Sequence, residues 1–162
     1  MIIFEDRIEQ LINLMPTIEG YKTQFYWGKD GTDLNLFISE NKGKSYPLVY
    51  LVTSPETSKG NFSEVSRKCK LVLFVQELKV SKLNTYRMLN SYANFLNPMA
   101  AYLIEIFDTS SVSRLSDGYR LQRIPNYSES GKNAQIDKLD AIVLDVDLSI
   151  NDNCLFPLTL SI

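Results

Sequence analysis

Two aspartates near the C-terminus, Asp145 and Asp147, occupy alternate positions of the stretch "LDAIVLDVDLSI", residues 139–150. Alternate residues of a strand share one face, so the two carboxylates would lie side by side. Carboxylate oxygens are ligands that Mg²⁺ and Ca²⁺ prefer, which makes the pair a candidate cation site. Two carboxylates are too few to hold such an ion alone. We therefore favour the alternative, in which Asp145 and Asp147 form a solvated or subunit-facing interaction strip.

A neighbouring subunit that covered these aspartates would have to offer them cations, because a buried carboxylate without a partner is strongly unfavourable. The candidate cations within this chain are Lys68, Lys70, Arg120 and Arg123. No metal, no cofactor and no catalytic residue is predicted at the pair.

A second candidate for chemistry is "VQELKV", in which Glu77 and Lys79 alternate at the end of an apolar run. The spacing resembles the E-x-K half of the PD-(D/E)xK metal-dependent nucleases. In those enzymes the carboxylate holds Mg²⁺ and the ammonium stabilises developing charge. They also need an acidic residue at the start of an upstream strand, and the nearest Pro-acidic pair, Pro55-Glu56, falls in a predicted loop. The nuclease is kept as an alternative function.

The composition restricts the remaining chemistry. The 162 residues include no histidine, which removes the usual general base, the Ser-His and Cys-His nucleophiles and the commonest transition-metal ligand. Phosphate-binding and hydrolase motifs are also absent from the sequence. The 17 Lys plus Arg and 19 Asp plus Glu leave a net charge of -2, so nothing indicates sequence-specific nucleic-acid binding. We expect a protein that binds rather than an enzyme.

The cysteines and the hydropathy pattern indicate the cellular compartment in which the protein is made. Cys69 and Cys154 form no C-x-x-C pair and are predicted to be plain thiols. No stretch approaches the roughly 18 apolar residues of a membrane span, so no membrane partner is predicted and synthesis in the cytosol is expected.

Apolar periodicity predicts the elements that would position these residues. The predicted helices are an amphipathic one at 2–15 and a helical region at 82–107. The predicted strands are a hairpin at 22–27 and 34–39, two buried strands at 46–53 and 69–80, and a second hairpin at 119–124 and 139–150. Together they predict one domain, residues 1–162, of the α+β class, with a mostly antiparallel sheet and the helical segment on one face. Such a sheet would leave its second apolar face to a partner.

The helical region predicts part of the core. Its i, i+3, i+4 spacing places six apolar side chains against the sheet: Met88, Leu89, Tyr92, Phe95, Leu96 and Leu103. Pro98 should kink or restart the helix, with Asn97 as the N-cap of the second part.

Three segments are predicted to be interaction elements. Residues 54–68 and 126–138 are polar and aperiodic, which is typical of long exposed loops. The C-terminal segment 154–162 is apolar, and Leu155, Phe156 and Leu158 are its candidate contact residues. Either it docks on another protein or it folds back onto its own subunit.

The order of elements resembles the small tail-terminator and tail-completion proteins of tailed bacteriophages and the related ring proteins of the head–tail connector. An N-terminal amphipathic helix precedes the strands "YPLVYLV" and "CKLVLFVQELKV", a helical segment, and the late strand "LDAIVLDVDLSIN". The resemblance covers most of the chain as a pattern. It implies a structural virion protein that forms a ring with copies of itself and contacts neighbouring connector or tail proteins. It also implies assembly in the cytoplasm of a bacterial host. A small stand-alone protein-binding module is the remaining alternative.

Overall fold

The computed structural model describes residues 3–29, 31–41, 46–53, 64–76, 84–125, 127 and 139–153. Its helices are α1 (Phe4–Ile12), α2 (Gly31–Glu40), α3 (Asn84–Arg87), a π-helix (Met88–Leu96) and α4 (Asn97–Thr109). Its strands are β1 (Gln24–Gly28), β2 (Leu48–Val52), β3 (Glu64–Gln76), β4 (Ser113–Ile124) and β5 (Leu139–Asn151). The predicted α+β class is confirmed.

The five strands form one sheet in the order β1-β2-β3-β5-β4. Only the β1–β2 pair is parallel; the other three pairs are antiparallel. β3 and β5 pair over their full length, from Glu64 opposite Asn151 to Gln76 opposite Leu139. The mostly antiparallel sheet, the central position of β2 and β3, and the β4–β5 pairing were all predicted and are confirmed.

The predicted hairpin of strands 22–27 and 34–39 is wrong in its second half, because residues 31–40 form helix α2. Leu34 and Ile38 are four residues apart, so one helical face buries both. The alternation of this segment fits a strand equally well. The parallel pairing of β1 with β2 favours the helix, since parallel neighbours need a crossover connection that a tight turn cannot supply.

One face of the sheet packs against α1, the π-helix and α4 to form the larger core. α1 buries Phe4 and Ile8 as its amphipathic pattern predicts. The guanidinium of Arg67, on β3, lies 2.6 Å from the Glu5 carboxylate and 4.6 Å from the centre of the Phe4 ring. This buried arginine explains why the loop prediction for 54–68 is wrong at its end. Residues 64–68 alternate as a strand does, but Arg67 occupies an inward position where an apolar residue is expected.

The helical region 82–107 is continuous where the structure describes it, and it does not restart at Asn97. Asn97 has helical backbone angles and its N–H donates to the carbonyl of Tyr92, five residues earlier. The prediction of an Asn97 N-cap is therefore wrong. The wider π turn directly precedes Pro98, whose ring would clash with the carbonyl four residues earlier in a regular α-helix.

The π turn also changes which side chains reach the sheet. Tyr92, Leu96 and Leu103 are buried and Phe95 is partly buried, as predicted. Met88 and Leu89 were predicted to be buried, and this is wrong: they are 47% and 60% exposed. A turn that spans five residues rotates the residues before it relative to α4, so Arg87 and Ser91 face inward instead.

The second sheet face is covered over part of its length. Leu34 and Ile38 of α2 pack there against Phe74 and Val143, and the ring of Tyr127 contacts the ring of Phe74 edge-on, with centres 5.0 Å apart. The predicted need of this face for a partner is thus met in part by α2. No described helix has the length and apolar character needed to cross a membrane.

Gly28 ends β1 where the chain turns into α2, and it has no room for a side chain. A Cβ there would lie 2.7 Å from the Asp33 Cβ and 2.9 Å from the Tyr50 hydroxyl. We expect Gly28→Ala to lower the free energy of unfolding by about 1–3 kcal/mol, measured by urea denaturation. Adding Tyr50→Phe should not restore the stability, because the Asp33 Cβ still obstructs and the hydrogen bond from the Tyr50 hydroxyl to the Lys29 carbonyl is lost. An unchanged stability in Gly28→Ala would contradict the close approach.

Candidate interaction site

The antiparallel register brings together five charged residues from three strands, which we call the charged strip. They are Lys68 and Lys70 of β3, Asp145 and Asp147 of β5, and Arg120 of β4. Asp145 lies between Lys70 on one side and Arg120 on the other, and Asp147 lies opposite Lys68. Opposite charges that face each other across neighbouring strands stabilise the pairing. Both sequence-predicted aspartates and three of the four predicted cations are thus brought together.

The charged strip lines an open groove of about 530 Å³ on the second sheet face, beyond the part that α2 covers. The three cations are exposed, whereas Asp145 and Asp147 are half-buried between them. A β-bulge between Leu115 and Tyr119 interrupts β4 beside the groove. Gly118 in that bulge has a φ of 79°, a backbone conformation that glycine adopts without strain. Because the cations are more exposed than the aspartates, an approaching molecule contacts Lys68, Lys70 and Arg120 first.

The fourth predicted cation, Arg123, does not join the aspartates. It lies opposite Ile142, whose side chain belongs to the larger core on the other sheet face. Its guanidinium nitrogens donate to the side-chain oxygen of Asn97 at 3.2 and 3.3 Å. Arg123 lies an odd number of residues from Arg120, so it points to the opposite sheet face and does not face the aspartates of its own chain. Its pairing with the aspartates of a neighbouring subunit stays a prediction.

Along β3 and β5, an uncharged pair of residues follows the charged strip on the same sheet face. The hydroxyl groups of Ser66 and Ser149 lie 2.6 Å apart, one donating to the other. Arg114 of β4 lies opposite Ser149 and is exposed. This surface joins three strands by backbone hydrogen bonds, so its charges are held on a rigid support.

The arrangement is better suited to pairing charges than to holding a cation. Each aspartate faces an ammonium or a guanidinium in the register, and these positive groups oppose the binding of a metal cation. Within the described part of the chain, no cluster of three or more acidic or cysteine side chains could hold a metal.

Cys69 sits next to the charged strip in sequence but points into the core on the other face. Burial, with smaller contributions from the Asp147 and Glu5 charges, raises the pKa of its thiol from 9.0 to about 12, although the Arg67 guanidinium acts to lower it. The thiolate, which is the reactive form, is therefore scarce in the folded protein.

We expect Cys69 to resist thiol reagents at mildly alkaline pH in the native protein and to react at once in urea, tested in a Cys154→Ser background. The raised pKa also links stability to pH. The stabilisation is fully present below about pH 9.0 and is lost as pH rises towards about 12, because the unfolded chain releases the proton first. Rapid labelling of the native protein would contradict the burial.

A buried polar cluster was not predicted from the sequence. The Arg87 guanidinium of α3 lies 2.8 Å from the Asp140 carboxylate of β5, and neither side chain is more than 3% exposed. The Tyr92 hydroxyl donates to the Ala141 carbonyl at 3.3 Å, and burial, followed by the Asp140 charge, raises the pKa of Tyr92. One sequence signal was available: Asp140 shares the core-facing parity of Ile142, so it required a buried partner.

Several predicted residues lie outside the described part of the chain. These are Glu77 and Lys79 of the nuclease hypothesis, the acidic residue Glu56, and the C-terminal candidates Leu155, Phe156 and Leu158. Most of the two predicted loops, residues 54–63, 126 and 128–138, lies outside it as well. The nuclease and C-terminal docking hypotheses stay predictions.

Neither a scan against protein-family models nor a search of curated proteins found a match.

Proposed function

We propose that this protein is a structural virion subunit that forms a ring at the tail terminus or head–tail connector of a tailed bacteriophage. The observation that carries the proposal is the charged strip, an ordered set of charges on the part of the second sheet face that α2 leaves uncovered. The assignment to a phage tail or connector is based on the order of helices and strands, which resembles that of tail-terminator proteins. Neither a metal nor a cofactor is needed for this role.

The strip suits an assembly surface for two reasons. Its residues come from the long strands β3, β4 and β5, whose backbone pairing presents the charges in one geometry to every copy of the chain. Charges arranged in this way contribute orientation and partner choice more than raw affinity, which is what closure of a ring requires. A connector element must match a symmetric tube, so contacts that close with cyclic symmetry are expected.

The decisive experiment is a protein inventory of purified phage particles. The protein should be present in a copy number that equals the order of a ring, and imaging of the particle should place that ring at the head-proximal end of the tail. Absence from particles together with a monomeric state would favour the small binding module. Divalent-metal-dependent hydrolysis of DNA that Glu77→Ala abolishes would favour the nuclease.

A double substitution tests the role of the aspartates in this assembly. Asp145→Asn with Asp147→Asn should leave folding intact, since both side chains lie at the surface of the groove. It should at most weaken ring assembly, in a salt-sensitive way, because amides cannot form ion pairs with cations of a neighbour. Melting temperature and sedimentation at low and high salt measure the two effects. Loss of folding would contradict the surface role.

A further inference from the structure

The layer of helices α1 and α4 carries a surplus of negative charge. α1 contains Glu5, Asp6 and Glu9 with Arg7 as its single cation, and α4 contains two carboxylates and no cation. Glu5 pairs with Arg67, but Asp6, Glu9 and Asp108 are exposed. Asp6 and Glu9 lie one helical turn apart on α1, and we call these two exposed residues the acidic surface.

The acidic surface and the charged strip lie on opposite sides of the sheet. α1 and α4 pack on the face that carries Cys69 and Leu71, whereas Lys68 and Lys70 point to the other face. The molecule thus has an acidic helical side and a sheet side whose outermost groups are three cations. Such a subunit attracts a second copy most strongly when unlike sides meet.

We propose that the charged strip of one copy docks on the acidic surface of a second copy. This inference rests on the self-association in the proposed function and identifies its contact surfaces. A strip-to-strip contact would have to place each cation against Asp145 or Asp147 of the other copy, and these aspartates already face cations of their own chain. A contact between two different surfaces repeats from copy to copy, and it closes into a ring when the rotation permits.

Double-stranded DNA is the competing anionic partner for the strip. Its phosphates would meet the same three cations, but the row of Asp145 and Asp147 runs between those cations and repels a continuous phosphate backbone. Discrete carboxylates on helix α1 can face the cations, and Arg7 of the same helix supplies the neighbouring cation with which Asp145 and Asp147 pair. The acidic surface of this same chain supplies such carboxylates.

Charge reversal on each surface tests the contact. The strip variant carries Lys68→Glu and Lys70→Glu, and the helix variant carries Asp6→Lys and Glu9→Lys. We expect each variant alone to self-associate about tenfold more weakly than wild type, and high salt to weaken the wild type as well. Lys22→Glu and Glu40→Lys reverse exposed charges outside both surfaces and should leave association unchanged. Sedimentation velocity measures association, and circular dichroism checks that each variant is folded.

Mixing the two variants gives the sharpest outcome. The wild-type strip of the helix variant can bind the wild-type acidic surface of the strip variant. At the next contact, the charge-reversed strip of the strip variant meets the charge-reversed helix of the helix variant. These two surfaces again carry opposite charges and attract each other. We therefore expect the mixture to regain the association that each variant lost. A strip-to-strip contact would not need the helix residues, so full association of the helix variant would overturn the inference.

Three further results would also overturn it: a mixture that stays dissociated although both variants are folded, a wild-type chain that remains monomeric at millimolar concentration, and binding of a labelled DNA duplex that the strip variant alone loses. If any of these holds while particles contain the protein as a ring, the ring uses other surfaces and the proposed function stands. Absence from particles contradicts the proposed function instead.

Discussion

Asp140→Ala is expected to lower the free energy of unfolding by about 3–5 kcal/mol. The substitution leaves the Arg87 guanidinium buried without its carboxylate, 2.8 Å away in the native fold. An uncompensated charge in the interior costs several kcal/mol, since water no longer solvates it. Urea denaturation followed by far-ultraviolet circular dichroism measures the loss. Arg87→Ala should show a similar cost for the corresponding reason.

The double variant Arg87→Met with Asp140→Leu separates charge from packing. Removing both charges takes away the desolvation cost together with the attraction, so we expect it to recover most of the stability that either single variant loses. Arg7→Ala serves as the exposed control, because the Arg7 guanidinium donates to Gln10 at the surface. Single variants that cost less than about 1 kcal/mol would show that water reaches the pair in solution.

Leu144→Ala and Leu89→Ala are expected to differ sharply although both remove the same atoms. Leu144 is fully buried in the middle of β5, so its truncation should cost about 2–5 kcal/mol through lost burial and the remaining cavity. Leu89 is 60% exposed at the start of the π-helix, so its truncation should cost no more than about 0.5 kcal/mol. Chemical denaturation of the two variants under identical conditions gives the comparison.

The comparison of Leu89→Ala with Leu144→Ala also tests whether the π-helix is present. If the region were a regular α-helix in phase with Leu96, Leu89 would face the sheet and its truncation would cost as much as that of Leu144. Equal costs would therefore contradict the wide turn before Pro98. Tyr92→Phe is a useful companion, because it removes only the hydroxyl that donates to the Ala141 carbonyl and should cost about 0.5–1.5 kcal/mol.

The charged strip shows how far a local pattern predicts a site. The alternation of β5 placed Asp145 and Asp147 on one face before any partner strand was known. The cations that face them are set by the register of β3 against β5. That register extends over thirteen paired positions and is fixed by the β3 residues that pack into the core. In this register, Lys68 and Lys70 face the aspartates. Arg123 points to the opposite face of β4. The sequence alone does not show which face of β4 is shared with Asp145 and Asp147.

The predicted secondary structure is wrong where a local sequence pattern is compatible with two kinds of structure. The α2 segment fits a strand or a helix, and the parallel β1–β2 pairing decides for the helix. The start of β3 was interpreted as loop because Arg67, a charged residue, occupies a core position. That position is tolerable only because Glu5 and the Phe4 ring, from a helix about sixty residues away, surround the guanidinium.

The sequence by itself determined the α+β class, the amphipathic α1, the buried strands β2 and β3, and the face that Asp145 and Asp147 share. Each of these depends on periodicity within a short window, which the backbone geometry of helices and strands converts directly into faces. Only the tertiary structure decided the helical state of α2, the inward turn of Arg87 towards Asp140 and the outward turn of Leu89. The helical state of α2 and the inward turn of Arg87 depend on residues distant in the chain, because a buried charge is stable only when a partner from another element meets it. The outward turn of Leu89 follows from the wide turn before Pro98, which the apolar spacing alone does not predict.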